Sequence, residues 1–251
     1  MPVQPLQIFP LAGLPEIAPG DRLGSLIVHA VHEAALAPQA GDIFVVAQKI
    51  VSKAEGQLVP LDSVDPSERA AQWAAQYGKD PRLIELVLQQ ARRIVRMERG
   101  VIVAETRHGF ICANAGVDAS NVPEGTALVL PEDPDRSAQQ LRDELSANFG
   151  VRVAVIVSDT FGRPWREGLV NVALGVAGIP AIVDYRGQCD ASGKLLSATM
   201  IAVADEIASA AELVMGKTKR TPVAVVRGAE WVGSGGTGRD LLRSPETDIF
   251  R

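Results

Sequence analysis

The sequence predicts a mixed α/β fold, with a sheet of parallel and antiparallel neighbours flanked by helices. Two near-continuous apolar runs rich in β-branched residues, Asp42–Val51 and Val151–Val157, read as strands buried on both faces. Stretches with helical apolar spacing alternate with the strand candidates. Turn signals at Arg107-His108-Gly109 and Asp190–Lys194 join neighbours that read as antiparallel. The sheet is therefore expected to be mixed, not purely doubly wound.

Taken in order, Leu6–Leu11 is a short strand. Ala12–Gly24 holds three glycines and two prolines and is a loop. Ser25–Leu36 has helical spacing and stops before Pro38. Asp42–Val51 is the second strand, closing in Ser52-Lys53. Pro66–Tyr77 and Pro81–Met97 are helices with proline at or near their first positions. Arg92, Arg93 and Arg96 make a solvated face on the second. Val101–Glu105 and Phe110–Ala113 are strands about a turn, and Asn114–Asn121 is a small-residue polar loop. Ala127–Leu130 is a strand. Pro134–Phe149 is a helix that Asp133 caps and Gly150 stops. After Val151–Val157 come a helix over Trp165–Val176 and a strand over Ile179–Tyr185. Leu195–Ile201 is a returning strand, Ala204–Met215 a helix and Pro222–Arg227 a last strand. No repeat, low-complexity tract or clear linker appears. One domain over 1–251 is expected, with only a weak boundary signal at Pro60–Pro66.

Composition excludes several classes. The chain of 251 residues is 47% apolar and 22% charged with a net charge of −5, ordinary for a globular protein and unsuited to a nucleic-acid partner. Aromatics at 4% provide no base-stacking platform. Cys112 and Cys189 form neither a metal spacing nor a disulfide framework, so a reducing cytoplasm is the default. The start, MPVQPLQIFP, lacks the basic region and long apolar core of a signal peptide. No stretch approaches a membrane span of about 20 apolar residues. The nearest, Leu169–Val183, is interrupted by Asn171, Gly175, Gly178 and Pro180.

Chemistry gathers where the central run ends, in Ser158-Asp159-Thr160 followed by Arg163 and Arg166. A carboxylate and hydroxyls at a buried strand's end suit a hard cation such as Mg²⁺ or Mn²⁺. The arginines suit phosphate or carboxylate oxygens. The bland alternative is that Asp159 caps the helix beginning near Pro164 and the arginines are surface charges. A second acidic position, Asp118, lies in a loop of glycine, alanine, serine and Asn121. Turn formation explains it equally well, unless Asp118 meets Asp159 in space. Lys49 and Lys53 follow the second buried strand, where a lysine can neutralise a phosphate or simply be exposed.

Two glycine patterns are decoys. Gly216-Lys217-Thr218 resembles the end of a phosphate-binding loop, but Ala211 stands where its first glycine should be and a helix precedes it. Gly233–Gly238 fits a dinucleotide fingerprint with only 13 residues after it, too few for the remaining βαβ unit. His29, His32 and His108 lack convergent partners for zinc, and no serine-nucleophile elbow occurs.

Six stretches in order resemble the coenzyme F420-0:L-glutamate ligase family of GTP-dependent gamma-glutamyl ligases. They are Gly13–Ile17, Gly41-Asp42 to Glu55-Gly56, Ala115–Asp118 to Asn121-Val122, Ser158–Arg163 to Arg166, Val203–Ala208 and Pro222–Gly228. The resemblance implies a homodimer of an uncommon mixed α/β fold, neither Rossmann nor P-loop, with GTP near the subunit interface. It implies that Leu14, Pro15, Glu16 and Ile17 line the GTP site, together with Lys49, Lys53 and Asn121, and with Gly216 and Lys217. Asp118, Asp159 and Thr160 would bind the divalent metal, and a K⁺ requirement is left open. Gln48 departs from the serine or threonine of many relatives and puts one nucleotide contact in doubt. Ending at Arg251, the chain resembles the standalone form without a fused flavin domain.

The implied activity is addition of L-glutamate, first by an amide and then through the γ-carboxyl, to the lactyl-phosphate side chain of F420-0. It would pass through an acyl phosphate and release GDP and phosphate, with Arg163 and Arg166 assisting. Two other functions stay open at this point. One is a GTP-dependent ligase or phosphotransferase acting on another carboxylate. The other is a nucleotide-binding module in which Gln48 marks lost catalysis.

Overall fold

The computed structural model describes residues 5–230 and 235–248. In chain order the elements are β1 (Gln7–Leu11), α1 (Leu23–Glu33), β2 (Ile43–Ala47), α2 (Gln48–Ala54), β3 (Leu58–Pro60), α3 (Glu68–Tyr77), α4 (Pro81–Gln90), β4 (Ala91–Glu98) and β5 (Val101–Thr106). They continue with β6 (Ile111–Ala113), β7 (Thr126–Leu128), α5 (Pro134–Phe149), β8 (Ala154–Arg163), β9 (Arg166–Ala177), β10 (Val183–Asp184), β11 (Met200–Ile201), α6 (Val203–Met215) and β12 (Val223–Arg227).

The main sheet has the order β1-β12-β2-β8-β9. Only β2 and β8 pair in parallel; the other neighbours are antiparallel. The expected mixed sheet is therefore present. Its central strands are apolar where both faces are covered, over Ile43–Ala47 of β2 and 154–157 of β8. Phe44, Val46, Val155 and Val157 pack with Ile27, Val31, Leu141 and Leu145 of α1 and α5. Ile43, Val45 and Ile156 pack with Ile207, Ala208 and Ala211 of α6. At the edge, the Ala173 and Val176 amides of β9 donate to Asp205 at 2.8 Å and Asp135 at 3.0 Å. Side-chain carboxylates thus satisfy donors that an edge strand would expose. A smaller sheet, β4-β5-β6, packs with α3 and α4 about Trp73, Ile84, Val87 and Ile102.

Helix α1 has no cap of its own, since Arg22 precedes it without a side-chain bond. The Glu144 carboxylate of α5 lies over its first turn, 3.1 Å from Ser25 Oγ. A Cβ on Gly24 would stand 2.3 Å from that carboxylate, so glycine lets it lie this close and a larger residue would displace it.

The structure corrects four expectations. Asp42–Val51 is not one strand: β2 ends at Ala47 and α2 starts at Gln48. The apolar run conceals a change of period, because Ile50 and Val51 are buried from a helix. Pro81–Met97 is not one helix either. It ends at Gln90, and Arg92, Arg93 and Arg96 lie on β4. Two register shifts against β5 leave Ala91, Ile94 and Met97 less exposed than their neighbours; bulges thus imitate a helical spacing. The helix expected over Trp165–Val176 is β9, the second arm of a long hairpin with β8. Burial of its last five residues on both faces removes the alternation that marks a strand. Asp159 consequently caps no helix. The strands expected over Ile179–Tyr185 and Leu195–Ile201 shrink to the two-residue pair β10–β11. The remaining elements shift at their ends, and β3 was not anticipated. Gly233 of the glycine pattern lies outside the described residues. Its later glycines serve packing, since a Cβ on Gly236 or Gly238 would meet backbone at 2.3 and 2.0 Å.

Candidate functional site

The last parallel pairing of the main sheet joins Ala47 to Ser158. Asp159 is the next residue, beyond the carboxyl end of the parallel pair, where ligands of α/β sheets collect. Its strand does not stop there, since Asp159 and Thr160 pair with Val172 and Asn171 of β9. Strand geometry sends these two side chains to opposite faces.

On the Asp159 side, α2 presents Lys49 and Lys53 one turn apart, on one face. Lys49 Nζ sits 2.5 Å from Asp118 Oδ2 and 2.8 Å from Ser120 Oγ. Lys53 Nζ pairs with Glu16 and donates to the Asn121 carbonyl at 2.9 Å. The loop carrying Asp118 is held by its own backbone. Asp118 exchanges amide bonds of 3.0 and 2.8 Å with Leu128. Asn114, Ala115, Gly116 and Asn121 all take positive φ, which suits the short polar and glycine residues at three of these positions. A Cβ on Gly116 would also meet Leu130 at 2.6 Å.

The carboxylates behave differently. Burial alone would push Asp118 up, but its bonds to Lys49 and Ser120 more than offset that and hold it low. Burial pushes Asp159 up to about 6. The neighbouring Asp118 charge adds to this, while the Thr160 amide, Lys49 and Lys217 oppose it. The same Asp159 carboxylate, after burial, helps push the Cys112 thiol up to about 12. Asp118 and Asp159 therefore share one electrostatic site, the meeting that their spacing in sequence left undecided.

On the other face, Thr160 Oγ1 donates to Asn171 Oδ1 at 2.7 Å and accepts from Lys217. Lys217 follows Gly216, the residue closing α6, whose φ is +60°. Its ammonium also lies 3.2 Å from Glu212 Oε1, and Asn171 Nδ2 donates to Glu212 Oε2 at 3.1 Å. Asn171 and Glu212 were not singled out from the sequence. For Asn171 a signal existed: it interrupts the apolar run Leu169–Val183.

Other expected residues fall around or away from this centre. Leu14, Pro15, Glu16 and Ile17 form the loop between β1 and α1. Ile17 is buried and Leu14 packs on the core, while Glu16 reaches Lys53. Gln48 turns inward, 2% exposed, and accepts from Ser52 Oγ at 2.9 Å; the structure does not bring its amide to the cluster. Arg163 and Arg166 face each other at the hairpin tip. Arg163 lies roughly 13 Å along the strand from Asp159 and donates to the Glu167 carbonyl at 2.7 Å.

Among the described residues no three His, Cys, Asp or Glu side chains gather in a way that could hold a metal ion. Asp118 and Asp159 nevertheless suit Mg²⁺ or Mn²⁺. A hard cation of this kind takes one or two carboxylates and completes its shell with phosphate oxygens and water. The raised Asp159 carboxyl is an anion that its neighbours compensate incompletely, so a cation fits beside it. With Glu16 on Lys53 and Glu212 on Lys217, the arrangement brings four carboxylates and three ammonium groups to a strand end, a set that can meet a polyphosphate together with a divalent cation. No helix of the described residues is long and apolar enough to cross a membrane.

Comparison with known proteins agrees with this chemistry. The family model described as F420-0:Gamma-glutamyl ligase matches residues 13–228. A coenzyme F420:L-glutamate ligase of Methanothermobacter thermautotrophicus is 45% identical over 249 residues, 98% of this chain and 99% of the relative. The protein of that name from Methanopyrus kandleri is 45% identical over 98% of both chains. That of Methanocaldococcus jannaschii is 45% identical over 84% of this chain and 85% of its own.

Proposed function

The chain belongs to the F420-0:gamma-glutamyl ligase family, and from that membership we propose that it is a coenzyme F420:L-glutamate ligase driven by GTP. The observation that supports the site assignment is the Lys49–Asp118 ion pair, with Lys53 on the same helix face bonded to Asn121 and with Asp159 within the electrostatic reach of Asp118 and Lys49. Amide synthesis in water requires an activated carboxyl. The terminal carboxylate of the lactyl-phosphate side chain attacks the γ-phosphorus of GTP, the bond to the β-bridging oxygen breaks, and GDP leaves. The amine of L-glutamate then attacks the acyl phosphate, losing a proton and expelling phosphate. A second round extends the chain through the γ-carboxyl.

Asp118 and Asp159 would hold the divalent cation, Mg²⁺ or Mn²⁺, which when bound offsets charge on the phosphate oxygens. The residues of the chain do the rest. Lys49 and Lys53, fixed on one face of α2, place positive charge along the polyphosphate, and Lys217 does so from the opposite side of β8. Leu14–Ile17 and Asn121 frame the nucleotide around Lys53. Arg163 and Arg166, at the hairpin tip, are placed to meet substrate anions outside this centre. A cytoplasmic homodimer is the working assembly.

Mass spectrometry of a reaction with F420-0, L-glutamate, GTP and Mn²⁺ or Mg²⁺ tests this. Stepwise gain of glutamyl residues that depends on GTP is expected, and the number of steps gives the tail length. GDP release without a mass gain would refute the acceptor. Neither product from folded protein would refute the ligase.

A further inference from the structure

Lys217 stands at the surface, with a side chain 60% exposed, yet it is held by three oxygen-bearing side chains from three elements. Thr160 is on β8, Asn171 on β9 and Glu212 on α6. The bonds close a ring. Lys217 donates to Thr160 Oγ1, which donates onward to Asn171 Oδ1 at 2.7 Å. The other end of the amide donates to Glu212 Oε2 at 3.1 Å, and Glu212 Oε1 returns to Lys217 at 3.2 Å. Each group is used in its required sense: the amide oxygen faces donors, and the amide nitrogen faces a carboxylate. Ser209 Oγ, 2.7 Å from the Asn171 carbonyl, ties this strand position to α6 as well.

Stability alone does not account for such an arrangement. An exposed lysine–glutamate pair contributes about 0–1 kcal/mol, and ordering a lysine side chain costs up to about 2 kcal/mol of rotamer entropy. Asn171 is only 3% exposed, and a buried amide has to be fully satisfied to break even with an apolar residue. What the ring achieves is position: an ammonium immobilised on the far side of β8 from Lys49, bonded to Thr160, the residue next to Asp159.

We propose that Asn171 and Glu212 are positioning residues, a clasp that fixes the Lys217 ammonium as a preset counter-charge for the transferring phosphoryl group. The proposal rests on the GTP-dependent reading of this site. A charge that is already in place requires no reorganisation as the phosphate moves. Thr160 is the lever between the clasp and Asp159, its neighbour in sequence.

A double-mutant cycle on the full chain tests this, read as kcat and KM for GTP with F420-0 and L-glutamate. Lys217→Met is expected to lower kcat by about 10²–10³-fold, as loss of a preorganised charge does. Asn171→Leu, similar in volume but unable to bond, is expected to lower kcat at least about tenfold with a smaller change in KM. In the Lys217→Met background it should change the remaining rate less than about twofold, because residues that act as one unit are not additive. Glu212→Gln provides a second arm should Asn171→Leu not fold. Its amide offers one acceptor oxygen where the carboxylate offered two, so either the Asn171 bond or the Lys217 bond is lost and the ring breaks without loss of volume. Additive losses in the double variant would overturn the clasp, since a merely structural role multiplies through. So would parental kcat in both folded clasp variants while Lys217→Met is impaired. If Lys217→Met itself keeps parental kcat and KM, its placement at the phosphates fails, and the clasp with it. An inactive parent protein would instead refute the ligase reading.

Discussion

Changing Asp159 to asparagine should make the protein more stable at neutral pH while abolishing metal-dependent turnover. The folded-state carboxyl titrates at about 6 against an ordinary 3.8, a rise of about two units and so a ceiling of roughly 3 kcal/mol. Residual contact with solvent at this half-buried position brings the expectation to about 1–3 kcal/mol. The sign follows from the order of the two values. Above pH 6 the carboxylate is ionised in both folded and unfolded chains, and the folded one bears the full penalty. As pH falls from 6 towards 3.8 the folded state takes up its proton first and the penalty fades; below 3.8 nothing remains. Asparagine mimics the protonated acid and keeps an oxygen for the Thr160 amide. Urea unfolding of metal-free protein should therefore show the variant ahead by about 1–3 kcal/mol at pH 7.5, with the gap closing by pH 4. A variant less stable than the parent at pH 7.5, or a gap that does not change with pH, would refute the account of Asp159 as an under-compensated buried anion.

Elsewhere, Arg227 makes two bonds of 2.8 and 2.7 Å to Asp42, which is 1% exposed. Asp42→Ala should cost about 3–5 kcal/mol by leaving the guanidinium without its buried partner, and a loss under about 1 kcal/mol by denaturant titration would contradict this. In β9, a Cβ on Gly175 would lie 2.0 Å from the Pro134 carbonyl oxygen at the start of α5. Gly175→Ala should lower the melting temperature by at least about 5 °C, whereas a parental melting curve would show that α5 yields freely.

What could be read from the chain depended on whether burial and period agreed. β2 and the first part of β8 were legible because strand segments covered on both faces are apolar throughout; the continuation of β8 from Ser158 to Arg163 is polar and was read as the strand's end. The same rule concealed β9: its buried half, Ala173–Ala177, alternates no better than a helix. β4 was concealed by bulges that expose its residues in pairs, Arg92-Arg93 and Val95-Arg96. At the site, Asp118 and Asp159 could be named from residue type and local setting, and Lys49 and Lys53 from their place after β2. Their meeting could not be read, because it depends on the loop pinned by Leu128 reaching across to α2. Asn171 and Glu212 were missed for a related reason. One is opposite Thr160 only through the β8–β9 register, and the other arrives on α6, 41 residues further along the chain.

The carboxylate that Glu144 lends to α1 has a consequence for the loop between β1 and α1. A helix that starts on its own serine or aspartate can form its first turn early and alone. Here the anion over the first turn comes from α5, so the start of α1 depends on the docking of α5. The segment just ahead of that turn, residues 12–22, carries Leu14, Glu16 and Ile17. Its far end is thus moored to a helix that contributes no residue to the cluster around Asp118 and Asp159. Damage at Glu144 would slacken that mooring and so loosen the loop, with Leu14, Glu16 and Ile17 all still present.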